Sequence, residues 1–152
     1  MKAKETKYLE LINKIKLLIE GETDIISIMS TISCEVFHTF DYLNWVGFYR
    51  VVGRNTLKVG PYQGGHGCLK ISFDRGICGK CASEKKTQIV KDVEKLDFHI
   101  ACSSETKAEI VLPVFDSQKN LIAVFDVDSV NAEAFDETDE KHLTEIVKLI
   151  KL

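Results

Sequence analysis

The sequence is short of several features, and each shortage removes a class of protein. Two prolines and nine glycines in 152 residues are too few for a fibrous or low-complexity chain, and 45% hydrophobic residues are too many for a disordered one. No apolar run approaches the roughly 20 residues that a bilayer-spanning helix needs. The N-terminal Met-Lys-Ala-Lys-Glu-Thr-Lys has neither the apolar stretch nor the small-residue cleavage site of a secretory signal, so a cytoplasmic location is expected. There is no excess of charge either. Twenty basic residues against 23 acidic ones give a net charge of -3, which offers no footprint for nucleic acid or an anionic membrane surface. The length suits one domain with one sizeable core, and the expectation is a single domain over residues 1–152.

Five cysteines are present, an odd number, and Cys68, Cys78, Cys81 and Cys102 fall close together. In a reducing compartment structural disulfides are rare, so clustered thiols point to metal, to redox chemistry or to coincidence. Around them the chain alternates in character. Tyr8, Ile12, Ile15 and Ile19 lie at helical spacing within residues 5–20, with Gly21 placed to end that helix. Thr23-Asp24 opens a second helix along Ile25, Met29, Ile32, Val36 and Phe40. Residues 43–52 and 56–62 read as a hairpin about Gly53-Arg54-Asn55, with short strands at 68–73 and 87–90. Residues 110–115 and 121–127 form the clearest strand pair. Asp136 to Asp139 then starts a helix that uses Leu143, Ile146, Val147 and Ile150, and a short helix after Gly79 is a weaker feature. The pattern gives an α+β domain: a mostly antiparallel sheet with N- and C-terminal helices packed against it.

Cys34, inside the second helix, reads as a small packing residue. Cys78-Gly-Lys-Cys81 is a C-x-x-C, either half a zinc site or a redox pair. Zinc would need two further ligands from Cys68, Cys102, His66 and His99, and no second paired spacing supplies them. A thioredoxin-like pair should open a helix after a buried parallel strand, and Phe73-Asp-Arg-Gly-Ile77 does not describe one. Cys102, in His99-Ile-Ala-Cys-Ser-Ser, sits in a loop that a substrate can reach. Cys68 follows Gly64-Gly-His-Gly67, flexible enough to carry a second thiol toward another cysteine.

Three acids interrupt apolar strands. Glu109 precedes Ile110-Val-Leu-Pro-Val, and Asp126 and Asp128 follow Leu121-Ile-Ala-Val-Phe, two residues apart and so on one face. Brought together, such acids drive one proton affinity upward, leaving one carboxyl able to donate while its neighbour stays ionised; alone, each reads as a solvated strand end. Trp45 and Tyr49, four apart in a strand, share a side and form an aromatic wall or ordinary core.

Taken in order, Asn44-Trp-Val-Gly-Phe-Tyr49, Gly60-Pro-Tyr-Gln-Gly64 with Cys68, Arg75-Gly-Ile-Cys-Gly79, His99-Ile-Ala-Cys102, Glu109-Ile-Val-Leu-Pro113 and Asp126-Val-Asp-Ser129 resemble the free methionine-(R)-sulfoxide reductases, which are single GAF domains. The likeness spans essentially the whole chain. It implies a GAF fold with a small closed pocket for the free amino acid and no bound cofactor. By position, Cys102 would attack the sulfoxide sulfur, Cys68 would resolve the sulfenic acid as a disulfide, a thioredoxin-type reductant would restore both, and Cys78 would support them. A sulfoxide is a poor electrophile until its oxygen is protonated, and Glu109, Asp126 and Asp128 are candidates to protonate it and to hold the substrate ammonium. Trp45 and Tyr49 would pack on the thioether end, and backbone N–H groups of Ile77 to Gly79 would take the carboxylate. The chain departs from the family pattern at Cys81, at Ser103 after the nucleophile, and at Asp97-Phe98 before His99.

The resulting expectation is a reductase of free L-methionine-(R)-sulfoxide with no metal, whose partners are that substrate and a thioredoxin-type reductant, with a homodimer as the open oligomeric option. The rival is a GAF ligand-binding or redox-sensing module without turnover. Such sensors are normally wired to an output domain, and the expectation here is of a domain without one.

Overall fold

The computed structural model describes residues 2–97 and 104–151. These form, in chain order, α1 (Lys2–Leu18), α2 (Ile25–Thr39), β1 (Leu43–Val51), β2 (Thr56–Gly64), β3 (Lys70–Ser72), α3 (Gly76–Glu84), β4 (Gln88–Val90), a 3₁₀ turn (Val93–Lys95), β5 (Ala108–Phe115), β6 (Leu121–Ser129) and α4 (Glu137–Val147). The strands make one sheet in the order β3-β2-β1-β6-β5-β4, with every pairing antiparallel. The α+β architecture expected from the pattern is therefore the one observed.

Local chemistry explains the helix starts. The Asp24 carboxylate accepts the Ser27 N–H at 2.8 Å and caps α2, satisfying a donor that has no partner inside the helix. α4 opens with a reciprocal pair: Asp136 accepts the Asp139 N–H at 3.4 Å, and the Thr138 N–H at 2.7 Å as well, while Asp139 accepts the Asp136 N–H at 2.8 Å. α3 has no capping side chain at Arg75, which is why its start is poorly marked in the sequence. It begins at Gly76, three residues before the point expected. α4 ends at Val147, earlier than expected, although Ile150 beyond it is still buried.

The apolar stripes of α1, α2 and α4 cover one face of the sheet. Tyr8, Ile15, Met29, Ile32, Leu143 and Ile146 pack there against Val46, Phe48, Ile110, Leu112, Phe125 and Val127. The Phe48 and Phe125 rings stack at 4.5 Å, and each fully buried side chain of this size contributes about 2 kcal/mol. The other face carries a smaller apolar cluster under α3, including Leu57, Ile71, Ile77, Cys81, Val111 and Val124. α3 joins the edge strand β3 to the opposite edge strand β4 and touches both of them as well as β5 and β6. One helix can meet both edges only because the sheet curls around it, so the sheet and α3 together make a cup. Gly79 lets the helix sit close: a Cβ there would lie 2.5 Å from the Ser72 carbonyl oxygen. No helix among the described residues is long and apolar enough to cross a membrane.

Candidate functional site

The floor of the cup is set by strand register. On the α3 side of the sheet, Asp128 of β6 stands between Trp45 of β1 and Glu109 of β5, and Asp126 stands between Gly47 and Val111. Strand β6 runs to Ser129, two residues past the expected end, and this extra ladder brings Asp128 level with Glu109. Far from being solvated strand ends, Glu109 is 6% exposed and Asp126 is 5% exposed, and Asp128 is partly buried.

Trp45 is sandwiched between two tyrosines, with ring centroids 5.4 Å from Tyr49 and 5.2 Å from Tyr62. Gly47 makes this stack fit. A Cβ at that position would lie 2.7 Å from the tip of the Trp45 indole and 2.3 Å from the Tyr62 Cβ. The indole N–H donates to the Gly65 carbonyl at 3.2 Å, which fixes the ring, and the Gly67 backbone abuts both Trp45 and the Tyr49 hydroxyl.

These walls, with the first turn of α3, enclose a cavity of about 30 Å³. Trp45, Tyr49, Ile77, Cys78, Glu109, Asp126 and Asp128 all line it, joined by His66, Gly67, Ile71, Arg75, Gly76 and Thr106. Gly79 does not. Its N–H is committed to the Arg75 carbonyl at 3.2 Å, and its side of the helix packs on β3. The N–H groups without an acceptor inside the helix are those of Gly76, Ile77 and Cys78, so of the Ile77 to Gly79 groups expected to meet a carboxylate, that of Gly79 is already committed.

Sequence reasoning missed Thr106 and Arg75. Thr106 lies outside every motif; its hydroxyl accepts from the Asn44 amide at 3.0 Å. Arg75 opens the Arg75-Gly-Ile-Cys-Gly79 block but is given no role there; it marks the start of α3 without capping it and lines the cavity.

Electrostatically the cavity favours protons. Burial first, then the charge of Asp128, holds the Glu109 carboxyl well above its ordinary value. Burial and Glu109 do the same to Asp126, and burial and Asp126 to Asp128. Three acids this close titrate as one set, and that set keeps protons that isolated carboxyls would have lost. Burial, then the charges of Asp126, Glu109 and Asp128, also push the Cys78 thiol up, so Cys78 is a protonated thiol and a poor nucleophile. Cys81 is raised by burial and by Asp126 as well.

The two cysteines of the C-x-x-C part company. Cys78 faces the cavity, whereas the Cys81 thiol donates to the Val111 carbonyl at 3.6 Å. Cys34, Cys78 and Cys81 are free thiols, and Cys68 is disulfide-bonded. His99, Cys102 and Ser103 lie outside the described residues.

Protonated carboxyls beside an aromatic wall, with helix N–H groups opposite, suit a small zwitterion bearing a polar head that must receive a proton. The GAF domain family matches residues 21–152, and the chain belongs to it. The chain is 45% identical to GAF domain-containing protein A of Dictyostelium discoideum, over 97% of this chain and 92% of that one. It is 40% identical to the free methionine-R-sulfoxide reductase of Saccharomyces cerevisiae, over 88% of this chain and 77% of the yeast protein. The structure of the free methionine-R-sulfoxide reductase of Neisseria meningitidis in complex with its substrate superposes with a TM-score of 0.92 at 37% identity, covering 97% of this chain and 87% of that one. Within the GAF proteins, then, this chain is a member of the free methionine-(R)-sulfoxide reductase family.

Proposed function

We propose that this protein, acting in the cytoplasm as a single GAF domain over residues 1–152, reduces free L-methionine-(R)-sulfoxide to L-methionine. The observation that carries the reading is the set of three carboxyls, Glu109 and Asp126 buried and Asp128 partly so, on neighbouring strands beside the Trp45–Tyr49 wall.

In the proposed cycle the Cys102 thiolate attacks the sulfoxide sulfur while the acid set protonates the sulfoxide oxygen, which raises the electrophilicity of the sulfur. The S–O bond breaks and the oxygen passes to Cys102 as a sulfenic acid. Methionine sulfur is reduced by two electrons and the cysteine is oxidised by two. The Cys68 thiol then displaces the hydroxyl as water and forms a disulfide with Cys102. A thioredoxin-type dithiol restores both thiols and leaves as its own disulfide. No bound cofactor is required.

Ionised carboxylate in the same set holds the ammonium, the N–H groups at the start of α3 take the carboxylate, and Trp45 with Tyr49 encloses the methyl and thioether end. Cys78, protonated, supports the set as a hydrogen-bond donor rather than as a nucleophile. That Cys68 is disulfide-bonded supports a resolving role for it. Leu69, 78% exposed directly beside it, gives a reductant an apolar contact at the bond it must open.

The test is turnover of the separate sulfoxide epimers with dithiothreitol. Consumption of the (R) epimer alone is expected, and if that epimer is not consumed the reading is lost. Cys102→Ser is expected to abolish turnover, and Cys68→Ser, with a thioredoxin-type reductant in place of dithiothreitol, to release about one methionine per chain before stalling. Equal multiple turnover by both variants overturns the assigned roles.

A further inference from the structure

We propose that the same pocket takes a single zinc ion, held by the Cys78 Sγ and by one carboxylate oxygen each of Glu109 and Asp126, and that zinc so bound shuts the pocket to substrate. The three donor atoms lie within 4.8 Å of one another and come from three different elements, α3, β5 and β6. A tetrahedral ion with Zn–S of about 2.3 Å and Zn–O of about 2.0–2.2 Å therefore needs only small side-chain adjustments.

A second observation points to a missing cation. Asp126 is 5% exposed and lines the cavity, yet its Oδ1 has no hydrogen-bond partner among the described residues. The other contacts of this carboxyl run to Cys78 and Glu109, so the free oxygen faces a site that either keeps its protons or exchanges them for a metal ion.

The donor set selects the metal. Magnesium and calcium take oxygen ligands almost alone, whereas one thiolate with two carboxylates suits zinc. Three protein ligands leave a fourth position facing the cavity, as in zinc sites that stay open to water. This is not the C-x-x-C half-site, because Cys81 turns away to the Val111 carbonyl. The ion would occupy the groups proposed to protonate the sulfoxide and to hold the ammonium, and this second half of the inference rests on the proposed function.

Binding is tested first, on the reduced full chain, by titrating zinc against a chromogenic chelator. One zinc per chain is expected, weakened at least tenfold in Cys78→Ser and in Asp126→Asn, and within twofold of the parent in Cys81→Ser and Cys68→Ser. Cobalt put in place of zinc should show charge-transfer absorption from one thiolate, lost in Cys78→Ser. Less than half an equivalent bound, binding indifferent to Cys78→Ser, or cobalt absorption from two thiolates overturns the site. Blockade is tested separately: turnover should fall along the zinc-binding curve and return with EDTA. Full turnover with zinc bound overturns the blockade. A chain without any turnover sinks the proposed function and leaves the binding result intact.

Discussion

Asp139 and the Glu109–Asp126–Asp128 set are both withdrawn from water, on opposite faces of one sheet, and the chain surrounds them differently. Asp139, at the start of α4, accepts the Tyr8 hydroxyl at 2.7 Å and the Asp136 N–H at 2.8 Å, and pairs with the Lys4 ammonium. Its charge is met from three sides. Asp126 and Asp128 form no ion pair among the described residues, and each faces another carboxyl. The first arrangement ties α1 to α4 and closes the large core. The second destabilises its own ionised form, which is the condition under which an acid holds a proton for use at neutral pH. A buried charge that is met serves the fold; one that is opposed is available for chemistry.

The sharpest way to break this contrast is to neutralise the opposed set. Asp126→Asn is expected to lower kcat by about 10²–10⁴-fold and at the same time to raise folding stability by about 1 kcal/mol, read from steady-state rates and from urea denaturation of the same preparation. A less stable Asp126→Asn protein places Asp126 with Asp139. The converse change, Asp139→Ala, should cost about 3 kcal/mol by stranding Lys4 and Tyr8, with the turnover of the remaining folded protein unchanged. Gly47→Ala should cost about 2 kcal/mol, because its Cβ would overlap Tyr62, and should raise KM by displacing Trp45; intrinsic Trp45 fluorescence reports the displacement.

The smallest effect is in pH. The three acids have raised affinities in the folded chain and an ordinary value of about 4 when unfolded. The folded state therefore binds more protons above that value, and stability falls as pH rises from about 4 toward the raised value. Urea denaturation across pH measures the decline, which Asp126→Asn should flatten. A decline of equal slope in that variant removes the acids as its source.

Most elements could be read from the sequence because their signals are local. Asp24 and the Asp136–Asp139 pair announce two helices through capping, and the alternation along residues 110–115 and 121–127 announces the central strands. The buried state of the acids could not be read in this way. Asp128 looks like a residue beyond the end of a strand, and only pairing with Trp45 on one side and Glu109 on the other, from distant parts of the chain, takes it out of water. The start of α3 was obscured because no side chain caps it, and with it the place of Arg75 and Gly76 in the cavity lining. The division of Cys78 from Cys81 depends on which neighbour of one helix turn meets the cavity and which meets Val111, and spacing alone does not record that.

The disulfide at Cys68 accompanies a cavity of about 30 Å³ among the described residues. The proposed cycle forms that disulfide only after the sulfoxide has been reduced. Under the proposed cycle, substrate and reductant then meet different forms of the enzyme and never occupy it together. The kinetic order would be ping-pong, with parallel lines in double-reciprocal plots, and excess methionine sulfoxide would not slow re-reduction of the disulfide.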